Sequence, residues 1–214
     1  MDLHWETITP LMRQVLAAVG RSELCPDFYL AGGTALALQL GHRRSVDLDF
    51  FSEHDEVRPE MHQRALRALS SFAPQVVEQA WGNLVLLLGD LRAGFFGYGY
   101  PLIAPTIEAE GVPLASLADI GLMKLDAIAT RASRKDFCDL YLIAQSIPLR
   151  ALLDMAPAKY PTVRDFEAMI VRQLAYFERA DLEPPLDALL PLDWAEVKGF
   201  FRTWARLLGQ SWLA

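Results

Sequence analysis

Hydrophobic positions recur along the chain at two spacings, and these predict helices in some segments and strands in others. The apolar positions between Leu11 and Val19 follow helical spacing directly after Thr9-Pro10, where threonine is a good N-cap and proline fits the first helical position. A further helix is expected from Arg58-Pro59. Short apolar runs bounded by turn residues predict strands instead, at Phe28–Leu30, Val46–Phe51, Val76–Val77, Leu84–Leu88 and Leu91–Tyr98. Gly89-Asp90 fits a two-residue hairpin loop between the last two strands.

After Pro113 the pattern becomes helical. Serine or threonine followed three residues later by aspartate predicts three helix starts, at Ser116–Asp119, Ser133–Asp136 and Thr162–Asp165. A last helix is expected from Leu192 to Leu208. The whole pattern predicts an α/β core at residues 1–148, with a helical subdomain at 149–214 packed on it.

Two acids interrupt the apolar run from Val46 to Phe51. Because side chains in a strand alternate between faces, Val46, Leu48 and Phe50 should face the core. Asp47 and Asp49 should then share the opposite face, with their Cα atoms about 7 Å apart. Two carboxylates that close repel unless a cation or a proton lies between them. A hard divalent cation such as Mg²⁺ (or Mn²⁺), shared with the phosphates of a nucleotide, would neutralise the pair.

The segment before these acids is suited to phosphate binding. Gly32-Gly33 would let the backbone approach a triphosphate closely, and Thr34 would cap a short helix, Ala35–Leu40, whose first N–H groups favour an anion. Taken alone, a Gly-Gly pair is most often only a turn. An Asp-x-Asp pair also occurs in metal-dependent sugar transferases and in solvated edge strands.

The two features together are more specific, since Gly-Gly-Thr is followed by Asp-Leu-Asp-Phe with thirteen residues between Gly33 and Asp47. This arrangement resembles the nucleotidyltransferase superfamily. The resemblance implies a mixed sheet flanked by helices. It also implies a triphosphate site formed by Gly32, Gly33, Thr34, Arg44 and Ser45, with a metal ion held by Asp47 and Asp49.

A second segment makes the resemblance more specific, because it points to one family within the superfamily. "SLADIGLMKLDAIATRASRKDFCDLYLI", from Ser116 to Ile143, is similar to the paired motifs of the AbiEii/AbiGii toxin family. That similarity implies that Lys124 and Arg131, two turns apart on one helix face, balance the charge of the triphosphate. It also implies a catalytic role for Lys124 and Asp136. The residues alone allow plainer readings: solvent-facing cations, a helix-capping Asp136, and an Asp139 paired with Lys135.

One expected residue is missing. The superfamily usually places a third carboxylate on a later strand that faces the acid pair, where it serves as base or as part of the metal clamp. The later strand here, "LRAGFFGYGYPLI", contains no acid, and Gly94 or a neighbour occupies the corresponding place. We therefore expect one metal held by Asp47 and Asp49, with Asp136 as the extra carboxylate.

Composition limits the wider context. The net charge of −7 argues against a surface that is basic all over, two cysteines are too few for a disulfide framework, and no apolar run is long enough to span a bilayer. No signal peptide is visible, so a cytoplasmic protein is expected.

The expected activity is Mg²⁺-dependent transfer of a nucleoside monophosphate from an NTP to an acceptor. The resemblance implies an RNA acceptor such as tRNA, and a toxin with a cognate antitoxin in a toxin–antitoxin or phage-defence system. The alternative is a catalytically silent nucleotide- or partner-binding protein on the same fold.

Overall fold

A computed structural model of the chain describes residues 2–211. The chain divides into two compact units, Met1–Ser116 and Leu117–Ala214. Every described strand lies in the first unit. The domain boundary expected at residue 148 stays a prediction.

The first unit contains one seven-stranded mixed sheet, in the order β3-β4-β5-β2-β1-β7-β6. Strand β2 lies near the middle, antiparallel to β1 on one side and parallel to β5 on the other. The strands are β1 (Tyr29–Leu30), β2 (Asp47–Ser52), β3 (Gln75–Ala80), β4 (Asn83–Leu88), β5 (Leu91–Gly97), β6 (Ile107–Ala109) and β7 (Val112–Leu114). The helices of this unit are α1 (Pro10–Gly20), α2 (Gly32–Leu40) and α3 (Pro59–Ala68). The predicted mixed α/β fold is confirmed.

The local signals around α1 and the β4–β5 hairpin act as expected. The Thr9 hydroxyl accepts a hydrogen bond from the Met12 N–H at 3.2 Å, with proline at the start of α1. Leu88 pairs with Leu91 across Gly89-Asp90, and Gly89 has a φ of 63°. The short hairpin of β6 and β7 was not expected from the sequence, because its runs of three residues are too short to show a periodicity.

Helix α2 begins earlier than predicted. Gly32 and Gly33 form its first turn rather than a loop before it, and Ala31 is its N-cap. Thr34 therefore does not cap the helix, and its hydroxyl is used elsewhere. Gly41, in the left-handed conformation, ends α2 as expected.

The secondary-structure elements of the second unit, in its described part, are helices joined by turns and irregular segments. Its helices are α4 (Leu117–Thr130), α5 (Arg134–Ile143), α6 (Leu149–Lys159), α7 (Phe166–Gln173), α8 (Glu178–Leu182) and α9 (Trp194–Ser211). Ser133 is the N-cap of α5, as predicted. The start predicted at Thr162 is wrong, since α7 begins at Phe166 after Asp165 with a φ of 55°.

A buried ion pair joins α4 to α6 within this unit. The Lys159 ammonium lies 2.9 Å from Asp119 Oδ1, and both side chains are fully buried. Removing one member of such a pair leaves the other charge buried without compensation, which costs more than the intact pair contributes.

We expect Lys159→Met to lower the free energy of unfolding by about 3–5 kcal/mol, because Asp119 would remain buried without its cation. The double variant Asp119→Leu/Lys159→Met should recover a large part of that loss, since neither charge is then present. Urea unfolding followed by circular dichroism measures both. The matched control is Lys198→Met, whose pair with Asp181 is partly exposed and should change stability by less than about 1 kcal/mol. A loss below that value for Lys159→Met would contradict the prediction.

Candidate active site

The acid pair lies on β2 with the expected alternation. Leu48 and Phe50 are fully buried, whereas Asp47 and Asp49 are half-buried on the other face. The prediction for Val46 is wrong, because this residue precedes the strand and is 70% exposed. The two carboxylates are therefore accessible to a ligand on one face of the sheet.

The glycine pair lies directly beside Asp49. The Ala31 N–H donates to the Asp49 carbonyl at 3.1 Å, so the next residue, Gly32, starts α2 next to that aspartate. Gly32 has a φ of 66°, and a Cβ at this position would lie 3.7 Å from Asp49 Oδ2. The unpaired N–H groups of a helix start favour anions. Groups that favour an anion and a carboxylate that favours a cation therefore adjoin here.

Arg43 was not predicted and lies against the second glycine. It is 8% exposed, and a Cβ on Gly33 would come 2.2 Å from one of its guanidinium nitrogens. A side chain at position 33 would therefore displace the guanidinium. Arg44, which the sequence favoured, is exposed. Arg43 adds positive charge at the start of α2, where the helix dipole already favours an anion.

Thr34 and Ser45 form a buried hydroxyl chain. Their hydroxyl oxygens are 2.7 Å apart, and the Thr34 hydroxyl donates to the Asp47 carbonyl. Both side chains are less than one-tenth exposed. In this arrangement they fix the start of β2 against α2, and their predicted contact with a triphosphate stays a prediction.

Strand β5 shows what replaces the third carboxylate. Gly94 pairs in register with Asp49, and Arg92 pairs with Asp47. A Cβ on Gly94 would lie 3.3 Å from Asp49 Oδ1, but only 2.3 Å from the Phe96 ring. The place opposite Asp49 thus has no side chain of its own and is overlapped by an aromatic ring.

Arg92 is a second residue that sequence reasoning missed. One of its guanidinium nitrogens lies 3.5 Å from Asp49 Oδ1, and its side chain is 43% exposed. Its signal in the sequence was its position two residues before Gly94, which places it on the same face of β5. Arg92 supplies positive charge to the acid pair.

The predicted residues of the second unit form a network of ion pairs that is buried except for the half-exposed Arg131. The Lys124 ammonium lies 3.0 Å from Asp136 Oδ1 and 2.7 Å from Asp139 Oδ2, and both aspartates are fully buried. Arg131 donates two hydrogen bonds of 2.8 Å to Asp136, and the Ser133 hydroxyl donates a third of 2.7 Å. Asp139 therefore pairs with Lys124. The alternative expectation from the sequence, a pair of Asp139 with Lys135, is wrong.

This network holds its members in their charged forms. Burial acts to raise the pKa of Asp136, but the hydrogen bonds of Arg131 and the charges of Lys124 and Arg131 hold it far below the usual range. Burial likewise acts to lower the pKa of Lys124, yet Asp139 and Asp136 raise it above its ordinary value. A carboxylate so strongly stabilised as an anion is a weak general base in this arrangement. The predicted catalytic role of Asp136 stays a prediction.

Comparison with known proteins identifies the family. The family model described as "Nucleotidyl transferase AbiEii toxin, Type IV TA system" matches residues 14–81 and 92–205. The chain belongs to the AbiEii nucleotidyltransferase toxin family. This confirms the family suggested by the glycine, acid-pair and Lys124–Arg131 motifs, and it makes the chain a nucleotidyltransferase.

Individual proteins are also similar to this chain over most of its length. The "Uncharacterized protein aq_aa25" of Aquifex aeolicus (strain VF5) is 36% identical over 201 residues, which cover 89% of this chain and 92% of that protein. MenT4, a nucleotidyltransferase toxin of Mycobacterium tuberculosis H37Rv, has a TM-score of 0.63 at 19% identity, covering 93% of this chain and 82% of MenT4. ANT(2")-Ia, solved in complex with adenylyl-2"-tobramycin, has a TM-score of 0.53 at 15% identity, covering 74% and 95% of the two chains. The two structures support the nucleotidyltransferase fold.

The donor set of this AbiEii family member suits one divalent cation completed by a substrate. Within residues 2–211 no group of three or more His, Cys, Asp or Glu side chains could hold a metal ion. Mg²⁺ in nucleotide sites commonly uses only one or two carboxylates, with water and substrate phosphates as the other ligands. Asp47 and Asp49, next to the anion-favouring start of α2, meet that requirement. The described part of the chain also has no helix long and apolar enough to cross a membrane.

We expect Arg92→Gln to tighten Mn²⁺ binding to the nucleotide-free protein by about three- to tenfold, because it removes positive charge beside Asp49. Isothermal titration with Mn²⁺ measures this directly. Arg92→Lys should stay near the wild-type affinity, and Arg67→Gln, which removes an exposed arginine of α3, is the control for net charge. Unchanged or weaker Mn²⁺ binding in Arg92→Gln would show that Arg92 does not compete for the acid pair.

Proposed function

We propose that this chain transfers a nucleoside monophosphate from an NTP to an RNA acceptor, with Mg²⁺ or Mn²⁺ as cofactor, and that it acts as the toxin of a toxin–antitoxin pair. The observation that carries the proposal is the contact between the start of α2 and Asp49. A Cβ on Gly32 would lie within 3.7 Å of that carboxylate, so a cation ligand and an anion site lie side by side. A metal-bound triphosphate requires this combination.

In this proposal Asp47 and Asp49 hold the divalent cation, which when bound neutralises the charge of the phosphates. The first N–H groups of α2 and the guanidinium of Arg43 bind phosphate oxygens, and the glycines allow their close approach. Thr34 and Ser45 keep β2 in register with the helix start. For Lys124 and Arg131 in the second unit the family resemblance implies a role in balancing phosphate charge, and both cations are also paired with Asp136.

The proposed transfer is a single displacement at phosphorus. An acceptor hydroxyl oxygen forms a bond to the α-phosphorus of the NTP, and the bond from that phosphorus to the bridging oxygen breaks. Pyrophosphate leaves with the electron pair of the broken bond. The hydroxyl proton passes to water, since Gly94 supplies no carboxylate opposite Asp49. The protein contributes chiefly through orientation and charge stabilisation.

Two classes of acceptor are considered. RNA, such as tRNA, is the acceptor that the family resemblance implies, and the toxin family and the nucleotidyltransferase toxin MenT4 are consistent with it. A small hydroxylated molecule is the competing class, since the ANT(2")-Ia structure contains an adenylylated aminoglycoside. A cognate antitoxin, a role in phage defence and a cytoplasmic location belong to the same proposal.

A catalytically silent nucleotide-binding protein is the second candidate. Two observations favour it: the missing carboxylate at Gly94, and the complete engagement of Asp136 by Lys124, Arg131 and Ser133. It predicts tight NTP binding in the presence of Mg²⁺ without release of pyrophosphate.

We expect Asp49→Asn to reduce nucleotidyl transfer at least about a hundredfold, because one ligand of the cation loses its charge. The assay incubates wild type and variant with each α-³²P-labelled NTP, Mg²⁺ and either unfractionated tRNA or an aminoglycoside. Asp90→Asn is the matched control, because Asp90 is exposed in the β4–β5 turn of the same sheet.

Label on tRNA supports an RNA acceptor, and label on the aminoglycoside alone assigns the small-molecule class. Nucleotide binding with no transfer by the wild-type protein would support the silent alternative. Equal activity of Asp49→Asn and wild type would overturn the proposed site.

A further inference from the structure

A cavity in the second unit carries a concentration of cations, of which the proposed chemistry uses only Arg131. Arg131, Ser133, Arg134 and Lys135 line it from the start of α5, and Arg179 and Glu183 line it from the α8 region. Pro184 and Leu186 complete the lining, and the volume is about 370 Å³. We call this cavity the basic pocket.

The basic pocket keeps a surplus of positive charge after its internal pairs are formed. Arg131 is bound to Asp136, and these two charges offset each other. Within the lining, Arg134, Lys135 and Arg179 then face a single carboxylate, that of Glu183. Arg134 also interacts with Asp181, whose charge is offset by its pair with Lys198. Arg179 lies 3.8 Å from Glu183 and is 63% exposed, while Lys135 makes no ion pair among the described residues. In a chain of net charge −7, a local surplus of two positive charges gives this pocket a preference for polyanions.

The central arginine of the pocket is already held in place. Arg134 donates to the Glu183 carbonyl at 3.0 Å, and its guanidinium lies 5.0 Å from the centre of the Trp194 ring. The Arg134 N–H at the start of α5 donates to the Glu183 carboxylate at 2.8 Å. The protein thus already places one anion at this helix start. An arginine fixed by stacking and hydrogen bonding loses less conformational entropy on binding.

We propose that the basic pocket binds the phosphate backbone of the RNA acceptor. This inference rests on the proposed RNA acceptor and adds where that RNA is held. Two neighbouring phosphodiesters would match the surplus charge, and arginine forks bind phosphate in bidentate fashion. Only Pro184 and Leu186 are apolar in the lining. A protein partner normally needs a larger apolar centre, so RNA is favoured over an acidic segment of an antitoxin. Contacts of this kind position a strand without reading its sequence.

The test is the double variant Lys135→Gln/Arg179→Gln. Both side chains are exposed, so the fold should be retained, which circular dichroism and thermal melting check. We expect binding of unfractionated tRNA, measured by fluorescence anisotropy, to weaken about tenfold or more. The slope of log K against log salt concentration should become shallower by about 1.5, since two phosphate contacts are lost.

The matched control is Arg172→Gln/Arg206→Gln, which removes the same charge from exposed positions of α7 and α9. It should bind tRNA within about twofold of wild type. If tRNA binding weakens equally in both double variants, the effect is one of net charge, and the proposed RNA binding by the basic pocket is wrong.

Further measurements distinguish a failure of this inference from a failure of the proposed function. NTP affinity should be unchanged in Lys135→Gln/Arg179→Gln; a loss of NTP affinity with tRNA binding intact would assign the pocket to the nucleotide and overturn the inference. If the same variant loses binding to a polyglutamate peptide but still binds tRNA, the inference is also wrong, and the pocket binds an acidic protein partner instead.

Asp49→Asn should bind tRNA like wild type while failing to label it. Wild-type protein that binds tRNA through the pocket but transfers nothing would refute the transfer and leave the pocket standing. Wild-type protein that labels a small acceptor without binding tRNA would refute the pocket alone.

Discussion

The pairing of β2 with its two neighbours determines the geometry of the acid pair. On one side the bond from Ala31 to Asp49 brings the start of α2 beside the carboxylate. On the other side the parallel register with β5 sets Gly94 opposite Asp49 and Arg92 opposite Asp47. A shift of β2 by one residue would turn both aspartates into the core and Leu48 and Phe50 out of it. The stacked rings of Phe50 and Phe95, 4.9 Å apart, oppose such a shift.

Buried charge has a comparable part in the second unit. Asp136 and Asp139 are fully buried between helices that the chain connects through a short turn, and Lys124 and Arg131 compensate them. Such a network contributes little net stability compared with an apolar core, but a change in its arrangement that separates the partners leaves a buried charge without compensation. Its geometry therefore supports a role in holding α4 and α5 in one register, beside the role in phosphate binding that family membership suggests.

Features encoded by near neighbours in sequence could be predicted. The alternation around Asp47 and Asp49, the cap at Thr9 and the glycine stop at Gly41 each depend on a few adjacent residues. The start of α2 could not be predicted in this way, because the positive φ of Gly32 occurs where β1 ends beside β2. The sequence also did not predict Arg43 and Arg92 as site residues, or the ion pair of Asp119 with Lys159. Their partners are fixed by strand register and helix packing, and for Asp119 and Lys159 the separation is forty residues.

The ring of Phe96 has a consequence for how this site can change by mutation. It occupies the space that a side chain on Gly94 would need, at 2.3 Å from the nearest ring atom. Replacement of the glycine by an acid therefore requires the far edge of this ring to move, and Phe96 is only half-buried. The side chains at positions 94 and 96 therefore share one space on this face of β5, so a larger residue at position 94 changes the position of the ring beside the acid pair.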